Sequence, residues 1–404
     1  MNEYILFCLW PLFSLITALI NYSKKSSKNI LWLFCIFYGY TLVIANNKMD
    51  ISRYRDWFLL ISRNPSTSFL DYFNLMETHF FGSDIFFPAV SYLVSRFTKD
   101  PRILFAIFGL IFGFFYSRNI WLLIARSGEK LKPFAIALII TFAFINPFWN
   151  INGFRFNAAF NIFLYGILRY FFEKKNVYLL FSACSVLMHF SFLFPLVVFL
   201  IYLKAGNRIL IYFCLFLVTF FCGRFINPEY LREKRPIILP AAYETTIDYY
   251  ISEPYVQVHN ETEANLKWFL KWRGKALGFA LLLLMGLAFI ERKRRGIDDS
   301  YISLFSFSLL YSGIAHFFSN IPSFSRFITL GQALQIAVIF LFVNYTLKSK
   351  WMKIPFFLFF IASFWYCAVE MRIGFETISV ETLFTNPLIA PFTEPSTSLV
   401  NLIK

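Results

Sequence analysis

"VYLLFSACSVLMHFSFLFPLVVFLIYL", residues 177–203, is too long for one membrane crossing, and it holds His189 at its centre with Pro195 beyond. A helical span needs roughly 20 apolar residues. Whether this run passes straight through or doubles back sets the sidedness of everything after it. The basic loops decide the matter. "SKKSSK" (23–28), "RSGEKLK" (126–132), "EKKN" (173–176), "LKAGNR" (203–208), "ERKRRG" (291–296) and "LKSKWMK" (347–353) all separate apolar runs, and the positive-inside bias assigns them to the cytoplasmic face. That assignment holds only if 177–203 goes out and returns as two short helices. His189 then lies near the outer surface, and both termini lie outside.

Working outward from this run, apolar spans are expected at 3–21, 29–45, 103–124, 133–149, 152–172, 207–223, 273–290, 301–318, 325–345 and 353–370, which with the hairpin makes about 12 transmembrane helices. The run 85–98 is short and interrupted by Arg96, so it reads as re-entrant or interfacial. Residues 46–102, a large loop at 224–271 and the tail 371–404 fall outside the membrane on the outer side. Residues 1–404 otherwise read as one integral membrane domain, without a soluble domain, internal repeat or low-complexity linker. Composition agrees: the 404 residues are 58% hydrophobic and 15% charged, more apolar surface than one soluble core absorbs. No ten-residue alternation of a membrane barrel is present, and the 56 Phe and 22 Tyr suit aromatic girdles, so the fold class is an all-α polytopic helical bundle.

Several function classes drop out. The net charge of +15 sits mostly in the short loops, which excludes nucleic acid as the partner and leaves the lipid bilayer. Cys8, Cys35, Cys184, Cys214, Cys222 and Cys367 all lie in apolar runs without C-x-x-C or ligand spacing and read as small buried hydrophobes. The first apolar run lacks a basic leader and a cleavage site and reads as a retained helix. P-loop, G-x-S-x-G, H-E-x-x-H and dinucleotide fingerprints are missing, as is D-x-D, unless "ETE" at Glu261 and Glu263 serves.

The candidate chemistry gathers on the outer side. In "NINGFRFNAAF" Asn152 is a helix N-cap candidate with Arg155 three residues on, and in "NIPSFSRFITLGQ" Ser323 stands in the same relation to Arg326. An arginine is mildly disfavoured in a first helical turn, so two of them make sense if an anion joins them there. The plainer reading of either is a side chain snorkelling to headgroups. All four histidines, His79, His189, His259 and His316, fall at or near this side, with His189 where a helix would break. A lone histidine in an apolar run is more often a hydrogen-bonded core residue than a base. "NNKMDISRYRDWF" (46–58) puts Asp50, Arg53 and Tyr54 on one helical face, suited either to orienting a hydroxyl or to a stiffening ion pair. Loop 224–271 interleaves Glu229, Glu233, Glu244, Asp248, Glu253, Glu261 and Glu263 with five tyrosines, a composition that suits sugar hydroxyls or a solvated cap.

In order, "DISRY" (50–54), "DPRILFAIFGLIFGFFYSRNIWLLI" (100–124), "NGFRFNAAFNIFLYG" (152–166), "LMHFSFLFPL" (187–196) and "PSFSRF" (322–327) resemble the EpsG-like branch of Wzy-type bacterial polysaccharide polymerases, over residues 30–345. The resemblance implies an integral-membrane glycosyltransferase of the C type. It would work at the periplasmic face of the inner membrane, on O-antigen, capsule or exopolysaccharide repeat units. A glycan linked to undecaprenyl diphosphate would pass onto the end of a lipid-linked repeat unit, with neither metal nor cofactor. A chain-length regulator is a candidate partner. By position Arg53, Arg155, His189 and Arg326 carry over. With the charge argument, Arg155, Arg326 and Arg53 become the diphosphate ligands. His189 or Asp50 takes the acceptor proton, with His189 preferred, and Tyr54, Asn152 and His316 bind or orient sugar. The competing readings are a lipid-linked oligosaccharide flippase, which predicts charge lining both halves of the bundle, a ligase or single-sugar transferase with another acceptor, and a structural membrane protein.

Overall fold

The computed structural model describes residues 2–44, 49–64, 66–76, 84–127, 130–223, 252–292, 298–346 and 353–403. The regular elements are helices: α1 (Glu3–Leu9), α2 (Pro11–Ile20), α3 (Ser27–Thr41), α4 (Asp50–Arg63), α5 (Phe69–Met76), α6 (Phe86–Ser95), α7 (Pro101–Ile124), α8 (Pro133–Ile145), α9 (Phe154–Glu173) and α10 (Val177–Met188). They continue with α11 (Leu193–Ala205), α12 (Ile209–Cys222), α13 (Glu253–Asn265), α14 (Trp268–Glu291), α15 (Asp299–Phe317), α16 (Ser325–Thr346), α17 (Lys353–Gly374), α18 (Val380–Phe384) and α19 (Leu399–Ile403). Five stretches, Pro101–Ile124, Pro133–Glu173, Trp268–Glu291, Ser325–Val343 and Lys353–Gly374, are long and apolar enough to cross a membrane, and shorter apolar helices pack around them. The chain is a multi-pass, all-α membrane protein.

The run 177–203 breaks at His189, whose backbone is extended (φ −153°, ψ 115°). Pro195 explains the break: proline has no N–H to give a helix continuing from α10 but is tolerated in the first turn of a new one, and α11 begins two residues before it. Both halves pack on α9, in opposite senses. Tyr178 and Arg169 meet near the far end of α9, His189 reaches Phe156 near its start, and Tyr202 returns to Phe171.

A second proline redirects the N-terminus. Residues 3–21 do not form the expected single span, because Trp10, preceding Pro11, is extended and the chain folds back on itself. Ser14 Oγ donates to Glu3 O at 2.9 Å, and the Glu3 carboxylate pairs with Lys24 at 3.0 Å and accepts from Ser26. The start of the chain therefore lies with the first basic loop, not at the opposite end as the sequence led us to expect.

The described parts of the basic loops share one end of the bundle. Trp121 donates to Tyr22 O at 3.0 Å, Arg126 to Phe172 O at 2.9 Å, Lys174 lies 3.9 Å from Asp299, and Asn207 donates to Ser303 at 3.3 Å. The starts of α4, α6, α9 and α16 and the tail lie at the other end. There Ser379 donates to Thr41 O at 2.6 Å and Arg102 to Thr393 O at 2.6 Å. The segment 85–98 contains the ten-residue α6, about 15 Å long and too short to cross, resting on α4 and α7.

Helices α3 and α7 make the tightest crossing. A Cβ on Gly39 would lie 2.2 Å from Phe105 O, and one on Gly109, in "GLIFG" (109–113), 2.2 Å from Cys35 O, so the antiparallel backbones touch without intervening side chains. Gly109→Ala is expected to wedge them apart at a cost of about 1–3 kcal/mol, read as a lowered Tm in detergent. For the N-terminal hairpin, single cysteines placed at Asn2 and at Lys25 are expected to react with an impermeant maleimide from the same side of the membrane, opposite to one at Asn64. Labelling of Asn2 together with Asn64 would refute the fold-back.

Candidate functional site

Helix α9 starts where it does because of a polar clamp. Pro147 opens a 3-10 stretch, Phe148–Gly153, and a ladder of asparagine amides ties that stretch to the helix. Asn157 Nδ2 donates to Asn150 O at 3.1 Å and Gly153 O at 2.9 Å, Asn146 Nδ2 donates to Asn157 O at 3.0 Å, and Asn150 Nδ2 donates to Asn146 Oδ1 at 3.0 Å. Gly153 makes room for this, since a Cβ there would sit 2.9 Å from the Asn157 amide. The clamp delivers Arg155 as the second residue of α9.

Asp84 holds that arginine. It precedes α6, its side chain is fully buried, and its Oδ2 lies 2.6 Å from Arg155 Nη1. Its Oδ1 accepts from Phe190 N–H at 2.8 Å, in the break between α10 and α11. Burial pushes the Asp84 carboxyl up to about 6, although Arg155 and the Phe190 N–H pull the other way. Arg155 Nε also donates to Tyr54 OH at 3.3 Å. Tyr54 is buried, its ring set against Phe87 and Phe108, and Phe108 stacks on Phe154 at 3.9 Å.

His189 stands beside this pair. Its Nδ1 accepts from Ser191 N–H at 3.3 Å, with Ser191 Oγ at 2.9 Å. Burial, then the charges of Arg155 and Arg326, hold its pKa well below the usual imidazole value, so the ring is neutral near pH 7. With Nδ1 accepting from a backbone N–H, the single ring proton belongs on Nε2, which makes His189 a hydrogen-bond donor.

Phe156 links His189 to the last member of the cluster. Its ring lies edge-on to His189 at 5.6 Å and carries the Arg326 guanidinium at 5.5 Å. Arg326 is exposed, is the second residue of α16, and makes no side-chain hydrogen bond or ion pair among the described residues. A further charged element is Asp50–Arg53, a partly exposed ion pair in the first turn of α4. Three helix starts and one helix break thus converge on one end of the bundle. Residues 30–378 match the model of the EpsG family.

The chain belongs to the EpsG family. This agrees with the resemblance read from its motifs, and it makes the protein a membrane enzyme of polysaccharide-polymerase type. No curated protein and no solved structure shows significant similarity to the chain.

Within this EpsG-family chain the two arginines are not equivalent: Arg155 is half-buried and paired with Asp84, whereas Arg326 is exposed and unpaired among the described residues. Neither expected N-cap forms. Asn152 Oδ1 instead accepts from Ile51 N–H at 3.3 Å, capping α4 across the fold, and Gly153 is the N-cap of α9. Ser323 sits at φ 66°, its hydroxyl 3.2 Å from Tyr255 OH, and offers its carbonyl rather than its side chain to Arg326 N–H. Tyr54 leaves no ring face for a sugar, and its hydroxyl positions Arg155. His316 packs against Phe216 and Phe220 between α12 and α15.

His79, and Glu229, Glu233, Glu244 and Asp248 of the acidic loop, lie outside the described residues. Glu261 pairs with Gln257, Glu263 faces His259, and no group of three metal-ligating side chains occurs among the described residues. Sequence reasoning missed Asp84. Its signal was a carboxylate opening an apolar run read as re-entrant, since such a charge needs a buried partner.

Asp84→Ala is expected to cost about 1–3 kcal/mol by leaving the half-buried Arg155 guanidinium without its carboxylate, measurable as a lowered Tm in detergent.

Proposed function

We propose that this protein polymerises polysaccharide. It transfers a growing undecaprenyl-diphosphate-linked glycan onto the non-reducing end of a lipid-linked repeat unit, at the periplasmic face of the bacterial inner membrane. The observation that carries the reading is Arg326, an exposed guanidinium without an ion-pair partner among the described residues, which shares the ring of Phe156 with His189 beside Arg155. Its end of the bundle is opposite to the described basic loops, which by the positive-inside bias face the cytoplasm. Charge gathered at one end suits a polymerase better than a flippase.

The acceptor hydroxyl oxygen attacks the anomeric carbon, and the bond to the diphosphate oxygen breaks with its electron pair staying on that oxygen. Arg326, assisted by Arg155, stabilises the charge that develops there. His189 donates from Nε2 to a diphosphate or sugar oxygen. Asp50 takes the acceptor proton, because its carboxylate is partly exposed whereas the His189 Nδ1 is already accepting from Ser191. Arg53 orients Asp50 and lies within reach of the anionic substrate.

Purified protein given the undecaprenyl-diphosphate-linked repeat unit of its own locus, without added metal or nucleotide, is expected to produce a ladder of products. Arg326→Ala is expected to reduce the rate by roughly 100-fold or more, with Arg326→Lys recovering part of it. A wild-type protein that leaves the substrate as one band but moves it across liposomes would overturn the polymerase in favour of a transporter.

A further inference from the structure

Asp84 is a buried carboxylate whose ionised state depends on Arg155, the residue that must also serve an incoming anion. We propose that Asp84 takes up a proton from solvent when the lipid-linked diphosphate binds and gives it back when the product diphosphate leaves, so that Arg155 passes its charge to the substrate. This rests on the diphosphate reading of the site given above.

The geometry carries the argument. Among the described residues Asp84 has two partners, Arg155 Nη1 at 2.6 Å on one oxygen and Phe190 N–H at 2.8 Å on the other, and its side chain has no access to water. A diphosphate attracted to Arg155 either draws the guanidinium away or shares it. In both cases a buried anion is left facing a new anion with less compensation, and the carboxyl relieves this by accepting a proton. The proton balance is one H⁺ bound to one Asp84 oxygen, with no bond to substrate made or broken.

The charged and titratable groups around Asp84 set the balance that the ligand disturbs. Arg155 of α9 is the cation being reassigned, and the Tyr54 hydroxyl of α4 accepts from its Nε–H. Asp50 of α4 adds negative charge near Arg155. His189, closing α10, is neutral, and Arg326 of α16 is the exposed cation that meets the diphosphate first. Asp84 is already pushed up to about 6 without ligand, so near pH 7 it is mainly ionised, and a modest further rise carries it across neutrality. The Phe190 N–H bond would carry the event onward, since it ties Asp84 to the turn that presents His189. Asp84 is thus a positioning residue, acting through Arg155 and the His189 turn.

The test is calorimetric binding of a polyprenyl-diphosphate-linked monosaccharide to the purified full chain at pH 7, repeated in buffers of different ionisation enthalpy. Each phosphate of this probe holds one charge throughout the range, so the probe does not titrate. Uptake approaching one proton per ligand is expected in wild type and in His189→Asn, and almost none in Asp84→Asn. Affinity should weaken from pH 6 to pH 8 in wild type and stay flat in Asp84→Asn. In parallel, infrared difference spectra of wild type should gain a protonated-carboxyl stretch on binding, retained in Asp50→Asn, which keeps the inference falsifiable if Asp84→Asn does not fold. Binding without proton uptake, or uptake lost in His189→Asn and kept in Asp84→Asn, would overturn the proton transfer and leave the diphosphate site standing. Failure of wild type to bind the probe at all would overturn the site itself.

Discussion

A carboxylate removed from water needs its lost hydrogen bonds and counter-charge replaced, and Asp84 obtains them from segments far apart in the chain. One oxygen is held by the guanidinium of Arg155 at 2.6 Å and the other by the Phe190 N–H at 2.8 Å. The bond to Arg155 fixes the approach of the residues before α6 to the start of α9, and the bond to Phe190 fixes both to the break between α10 and α11. A buried ion pair adds little net stability, because desolvation offsets most of the attraction, but an arrangement that leaves either charge alone is strongly disfavoured. The pair therefore selects one arrangement of these elements, and the cluster at this end of the bundle depends on that selection.

Around the pair, rigidity comes from different chemistry at each neighbour. The asparagine ladder from Asn146 to Asn157 bonds side-chain amides to backbone carbonyls of the 3-10 stretch and the first turn of α9, which ties the two together. Tyr54, Phe87, Phe108 and Phe154 form an aromatic wedge beneath Arg155. Phe156 then presents its edge to His189 and carries Arg326, so the neutral donor and the exposed cation are set at related positions by one ring. The two arginines differ accordingly: Arg155 is paired with Asp84, and Arg326 is exposed over the Phe156 ring.

Proline governs where the chain turns. Pro11 interrupts a run that hydropathy alone reads as one span, Pro195 one too long for a single span, and in both cases the chain comes back to the end where the basic loops lie. The two returns bring the first residues and the loop after α11 to that end. The candidate site is left at the other end, together with the tail that packs on α3 and α7. The close α3–α7 contact through Gly39 and Gly109 supplies the rigid wall against which α4 and α6 rest.

Much of this was legible in the residues. Hydropathy and length indicated a polytopic helical bundle, the basic loops and Pro195 indicated the hairpin at His189, and short motifs indicated the EpsG family. Local pattern also marked Asp50, Arg53, Arg155, His189 and Arg326, because charge near apolar runs is costly and therefore conspicuous. The capping assignments of Asn152 and Ser323 and the sugar-facing role of Tyr54 did not hold, since each depends on which neighbour a side chain meets across the fold. The pairing of Asp84 with Arg155 lay beyond sequence for the same reason: 71 residues separate them, and no local rule says which buried cation a buried carboxylate will find. The sequence by itself determined which segments are helical and which residues are charged in an apolar setting. Only the tertiary structure decided which of those charges neutralise each other and which one stays exposed, because that choice is made by desolvation and packing among helices distant in the chain.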